Sequence, residues 1–205
     1  MQKVRVIYKK VGPAKYISHL DWMKILERAL RRTNLPVKYS EGFNPRMKIE
    51  YGPPLPVGVD GLAEALVVEF DGWIKPNSIK PELEGKFPEG LEILNIEIAN
   101  PKATSLDAAA EASEYTFELE ENEAKKLKSK LGQILEQNDI FIDKKSKTGI
   151  KKTNIRPMIY AASLSGTTFS ASLQTTNHGT LRPRELCAVL DIHPLKIVRN
   201  KILFR

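Results

Sequence analysis

From residue 3 to residue 9, Val4, Ile7 and Tyr8 stand among lysines and an arginine in near alternation, and the pattern predicts a strand. Val11-Gly12-Pro13-Ala14 then turns the chain. At Ser18 the period changes to that of a helix. Ser18 is a good N-cap with Asp21 three residues on, and Trp22, Ile25, Leu26, Ala29 and Leu30 fall on one stripe. Asp21, Lys24, Arg28, Arg31 and Arg32 fall on the other, which gives the helix a basic outer face. Pro36 ends it, and the Gly- and Pro-rich residues 40–56 read as ordered loop with short strands. Residues 65–70 (ALVVEF) predict a strand, 76–86 a short helix, and 91–98 (LEILNIEI) an alternating strand.

Residues 100–113 read as a linker, after which the order restarts. Residues 115–119 predict a strand, and 122–137 a helix with Ala124, Leu127, Leu131, Ile134 and Leu135 on its apolar side. Phe141 and Ile142 open a strand that runs into the basic stretch 144–152, and residues 157–162 add another. Residues 167–175 alternate as a strand, Arg182-Pro183-Arg184-Glu185-Leu186 starts a short helix, and 196–204 close as a strand. Each half therefore carries the order βαββαβ. The expected fold is α+β, two tandem ferredoxin-like units with antiparallel sheets, residues 1–99 and 114–205. The halves share no clear sequence identity, so the repeat is one of architecture.

Composition narrows the setting. Hydrophobic residues make up 41% of the chain, enough for a real core. The single cysteine, Cys187, cannot form an internal disulfide, and no apolar stretch with a cleavage site opens the sequence, so a reducing, cytoplasmic location is expected. No apolar run reaches the length of a membrane span.

Net charge is +7, and residues 1–56, 57–140 and 141–205 carry +8, −10 and +9. If the two basic ends meet in the fold, they make a surface that attracts phosphate backbones, most plainly RNA. The plainer alternative is that the basic and acidic blocks pair with each other.

One cysteine and three scattered histidines, His19, His178 and His193, offer no metal or cluster spacing, and no phosphate-binding glycine loop or nucleophile elbow occurs. No cofactor is expected. Three clusters remain. In Lys15-Tyr16-Ile17-Ser18-His19-Leu20-Asp21 a strand end delivers polar groups to a helix start, where anions are favoured. His19 with Tyr16 or Lys15 could serve as general acid or base on an RNA 2′-hydroxyl, as a metal-free ribonuclease requires. Capping by Ser18 and packing by Tyr16 explain the same residues. In the segment 40–48, Gly42 permits close approach, Phe43 offers a ring to stack, Asn44 a hydrogen-bonding group, and Arg46 and Lys48 phosphate contacts. A tight structural loop with Phe43 in the core is the competing reading. The third cluster joins Lys144, Lys145, Lys147, Lys151, Lys152 and Arg156 to Arg182 and Arg184, which suits phosphate or is simply a solvated hairpin.

The run YISHLDWMKILERALRRTNLPVKYSEGFNPRMKIEYGPPLPVGV, with the later RPRELCAVL, resembles the bacterial radical SAM-linked protein family, a domain of unknown function. The resemblance implies a partner rather than a reaction. Such proteins are fused to, or encoded beside, a radical S-adenosylmethionine protein, often near ribonuclease and ribosomal-protein genes, and this chain is similar to the stand-alone form. Radical chemistry would then belong to the partner. Relatives commonly show His-Pro where this sequence has Arg46-Met47, a departure that favours a basic contact over catalysis there. The tandem architecture is also similar to that of CRISPR repeat-processing endoribonucleases, an analogy of fold alone. The leading expectation is a non-catalytic accessory protein that presents tRNA or rRNA to the radical SAM partner. The alternatives are a protein-docking module that touches no nucleic acid, and a ribonuclease using His19.

Overall fold

The computed structural model describes residues 1–146 and 149–205. The fold is mixed α+β with mostly antiparallel strand pairing, and the chain divides into two compact units, Met1–Ala110 with Phe204–Arg205, and Glu111–Leu203.

In the first unit β1 (Gln2–Lys10) leads to α1 (His19–Arg31), β2 (Ile49–Tyr51), β3 (Asp60–Phe70), α2 (Pro76–Leu83) and β4 (Leu91–Ala99). The strands lie in the order β4-β1-β3-β2, and every neighbouring pair is antiparallel. β1 is held on both sides, with Val4 opposite Val68 of β3 and Ile98 of β4. Its alternation sends Val4, Val6 and Tyr8 into a core with Trp22, Leu26 and Leu30 of α1 and Ile79 and Leu83 of α2. The opposite face carries Ile7, which packs with Ala65, Val67, Ala99, Phe204 and Leu106, the last from the short helix α3 (Leu106–Ala109). Cross-strand ion pairs share that face: Lys3 Nζ lies 2.6 Å from Glu50, Arg5 Nη1 3.3 Å from Glu97, and Lys9 Nζ 3.4 Å from Glu92.

Inside the core, Trp22 Nε1 donates to the Tyr8 hydroxyl over 2.9 Å, the two rings 5.1 Å apart. The bond satisfies an indole N–H that burial would otherwise strand. Gly90 enters β4 at φ +88°, and a Cβ there would meet the Val11 carbonyl oxygen at 2.1 Å. Only glycine allows the close approach in which Val11 N donates to Gly90 O over 2.8 Å.

The second unit runs β5 (Ala110–Glu118), α4 (Glu121–Leu135), β6 (Phe141–Ser146), β7 (Gly149–Asn154), β8 (Ile159–Ser165), β9 (Thr168–Thr176), β10 (Gly179–Thr180), α5 (Pro183–Leu190) and β11 (Lys196–Phe204). Its main strands lie in the order β11-β5-β9-β8, while among the described residues β6 and β7 pair with each other alone and β10 closes on the end of β9. Phe117 of β5 and Phe169 of β9 are fully buried with ring centroids 5.2 Å apart, and Leu173, Leu127 of α4 and Leu186 of α5 are buried as well.

Residues 106–113, expected within a linker, form α3 and the start of β5, and Leu106, Ala112 and Ser113 are buried. Tertiary burial overrides the helix-like propensity of an alanine run. The strand expected over 65–70 begins at Asp60, and the basic stretch is a hairpin of its own rather than one strand.

Two predictions concern these units. Tyr8→Phe leaves the Trp22 N–H buried without an acceptor, which costs about 1–3 kcal/mol and lowers the urea midpoint with an unchanged m-value. In the second unit the Glu123 carboxyl is held below the usual glutamate range, first by the His193 backbone N–H (3.0 Å) and then by Lys126. That tie contributes above the ordinary glutamate pKa and is lost as pH falls through the lowered value. The stability gap between wild type and Glu123→Ala, followed by thermal unfolding, therefore closes on acidification.

Candidate nucleic-acid interface

In the first unit, Ser18 caps α1, its Oγ accepting from Asp21 N (3.1 Å) and donating to Asp21 Oδ2 (2.8 Å). The Asp21 carboxyl is lowered first by Ser18 and then by Lys24. His19 follows, half-buried, with its ring edge-on to Tyr51 of β2 at 5.8 Å and 81°. The Tyr51 hydroxyl is buried without a hydrogen-bond partner, and its pKa is pushed up by burial and then by the negative charge of Glu27. A phenol held neutral in this way is no general base. Tyr16 is largely exposed, with Lys15 Nζ 5.5 Å from its ring centre, and Lys15 also reaches Asp60 Oδ2 at 3.7 Å. His19 thus packs toward β2, while Tyr16 turns out to solvent beside Lys15.

The loop between α1 and β2 is pinned at its neck. Tyr39 bridges Met47, Ser40 N donates to Arg46 O (2.8 Å), and Arg46 N donates to Ser40 Oγ (3.0 Å). Beyond the neck, residues 41–45 are all exposed. Gly42 sits at φ +120° with nothing within 4 Å of the position a Cβ would take. The φ alone requires glycine. Phe43 is as exposed as a side chain can be, so the core reading of that ring does not hold.

The candidate cations of residues 15–48 separate into two groups. Lys24 pairs with Asp21 (3.4 Å), Lys48 lies 4.0 Å from Glu69, Lys15 is with Asp60, and Arg32 Nη2 donates to Lys86 O over 2.6 Å. Arg28, Arg31 and Arg46 are exposed and make no ion pair or side-chain hydrogen bond among the described residues.

In the second unit, Lys144 Nζ is bound by Thr180 O (2.6 Å) and Glu185 Oε2 (3.0 Å), which fastens the β6–β7 hairpin beside the start of α5. Glu185 also accepts from Arg182 N over 2.8 Å as part of the helix cap. Arg156 donates through Nε to Leu135 O (2.9 Å) and through Nη1 to Ile159 O (3.3 Å), so it clamps the end of α4 to the start of β8. It was expected to meet phosphate, but its guanidinium is committed to backbone carbonyls. The side chains of Lys151, Lys152, Arg182 and Arg184 are exposed. Lys147 lies outside the described residues. The sequence reading treated Phe141 only as a strand opener, yet it is 53% exposed with Lys152 Nζ 5.3 Å from its ring centre. Lys152 pairs with Asp143, so Phe141 is its diagonal neighbour, a relation that appears only once the hairpin register is known.

Among the described residues no group of three His, Cys, Asp or Glu side chains could hold a metal, and no helix is long and apolar enough to cross a membrane. A family model matches residues 3–183, which hold the first two clusters whole and the third except for Arg184, and its description is "Uncharacterized protein conserved in bacteria (DUF2344)". The chain belongs to this family. The DUF2344 description carries no reaction, ligand or partner. No curated protein matches the chain.

The role of Arg156 separates structure from binding. Arg156→Ala leaves two carbonyls without their donor and lowers stability by about 1–3 kcal/mol in urea unfolding, whereas Lys151→Ala stays within about 0.5 kcal/mol of wild type.

Proposed function

We propose that this DUF2344 chain is a non-catalytic, cytoplasmic RNA-binding protein built from two ferredoxin-like units, which presents tRNA or rRNA to a radical SAM partner. The observation that carries the RNA reading is the tip of the 40–46 loop. There Phe43 projects fully into solvent, and three residues along the chain Arg46 is exposed with no side-chain partner among the described residues. A ring held out on a pinned neck is suited to stack on an unpaired base, and a free cation on the same loop is suited to a phosphate. Arg28 and Arg31 add charge on the outer face of α1. The ferredoxin-like reading is supported by the strand orders, β4-β1-β3-β2 and β11-β5-β9-β8, each with helices after its first and third main strands. The radical SAM partner rests on the resemblance of residues 16–59 to that linked family.

A docking module without nucleic acid is favoured by a different observation. Lys3, Arg5, Lys9, Lys15 and Lys48 all have carboxylate partners within their own unit, so much of the first basic block is neutralised in place. The ribonuclease reading has the least support, because His19 is half-buried with its ring edge-on to Tyr51, a buried phenol that cannot serve as a base.

Filter retention of total tRNA and rRNA fragments across a salt series tests the proposal. Phe43→Ala should weaken binding by about 5- to 150-fold, the value of one stacked base, with the salt slope unchanged. The double variant Arg28→Ala/Arg31→Ala should flatten the slope of log K against log salt by about 1.4, two single-strand phosphate contacts. Absence of binding at low salt removes the RNA reading and leaves the docking module.

A further inference from the structure

β4 is the last strand of its sheet. It pairs with β1 on one side, and among the described residues nothing pairs with the other side. The open edge is nine residues long, Leu91–Ala99, and contains no proline and no lysine, two of the devices by which natural sheets block further pairing. One bulge interrupts it, where Ile7 pairs with Asn95 but Tyr8 pairs with Ile93, so that Leu94 is the extra residue. Leu94 and Ile98 are 38% and 57% exposed along this edge. Beside it runs a groove of about 350 Å³ between β4 and α2, lined by Pro76, Lys80, Pro81, Glu84, Leu94 and Ile96.

Charge identifies the occupant. Residues 76–99 carry five glutamates and two lysines, and β4 itself carries Glu92 and Glu97 with no cation. Glu92 and Glu97 hold Lys9 and Arg5 at 3.4 and 3.3 Å, but both carboxylates remain about half exposed, at 62% and 48%. A second copy of β4 would place glutamates against glutamates. A strand that alternates cations with aliphatic side chains would pair its backbone with the open edge, set aliphatic groups into the groove and bring cations to Glu92 and Glu97 on the opposite face.

We infer that the outer edge of β4 is a docking site for an extended basic-aliphatic segment of a partner protein, bound by strand addition. The site lies apart from the 40–46 loop and does not depend on the RNA reading.

The probe is a short, capped, fluorescently labelled peptide of alternating lysine and valine, titrated with the full chain and followed by anisotropy. Saturable binding is expected. A peptide of the same sequence and charge with N-methylated valines, which cannot pair with a strand, should bind about tenfold more weakly, the value of one or two hydrogen bonds. The variant Leu94→Lys/Ile98→Lys, its fold checked by circular dichroism, should weaken the unmodified peptide by at least about tenfold, since it puts like charge on the edge. Equal binding of the methylated peptide reduces the effect to charge alone and overturns the proposal, as does absence of saturation. A dimer in sedimentation velocity that Leu94→Lys dissolves would overturn it in favour of self-pairing.

Discussion

The strand Gln2–Lys10 is held by β3 on one side and β4 on the other, with Val4, Val6 and Tyr8 on one face and Lys3, Arg5, Ile7 and Lys9 on the other. A slip of one residue would bring Lys3, Arg5 and Lys9 against Trp22 and Leu26 and turn Val4, Val6 and Tyr8 to the other face. Register is therefore fixed by burial on one face and by ion pairs to Glu50, Glu97 and Glu92 on the other. Everything that positions the candidate interface of the first unit follows from this. α1 lies where Trp22 meets Tyr8, and β2 lies where β3 places it, so that Tyr51 of β2 meets His19 of α1.

The same arrangement changes what the net charge means. The +8 of residues 1–56 suggests a continuous cationic surface, but several of those cations are consumed by the sheet and the loops. Within residues 1–56, the cations left without a partner among the described residues are Arg28, Arg31 and Arg46. A few well-placed cations give less long-range attraction than a uniform patch, and they leave recognition to shape and stacking.

The parts of the fold that were legible in the sequence are those where one period runs unbroken. α1 could be read from its cap and stripe, and β11 from the alternation in KIVRNKILF. The start of β3 was hidden because Asp60, Gly61 and Glu64 look like loop residues, although all three are buried. A hairpin was only one of two readings of the basic stretch, because its lysines fall in adjacent pairs, 144/145 and 151/152, which mark neither side as facing the protein. At the candidate site, the composition of residues 40–48 marked them as a loop, but whether Phe43 faced inward or outward depends on the Ser40–Arg46 neck, a contact six residues apart that periodicity does not report. Arg156 was grouped with the lysines by charge. Its partner at Leu135 is 21 residues away and is a backbone carbonyl, which no side-chain pattern encodes.

The neck between Ser40 and Arg46 isolates residues 41–45 from the energetics of the fold. Apart from the backbone requirement at Gly42, nothing in the described structure leans on those side chains. The tip is thermodynamically silent, so it can be rewritten, lengthened or grafted from another protein while the scaffold stays as it is. A library confined to the four positions other than Gly42 would vary the exposed surface of this loop without touching a contact of the fold.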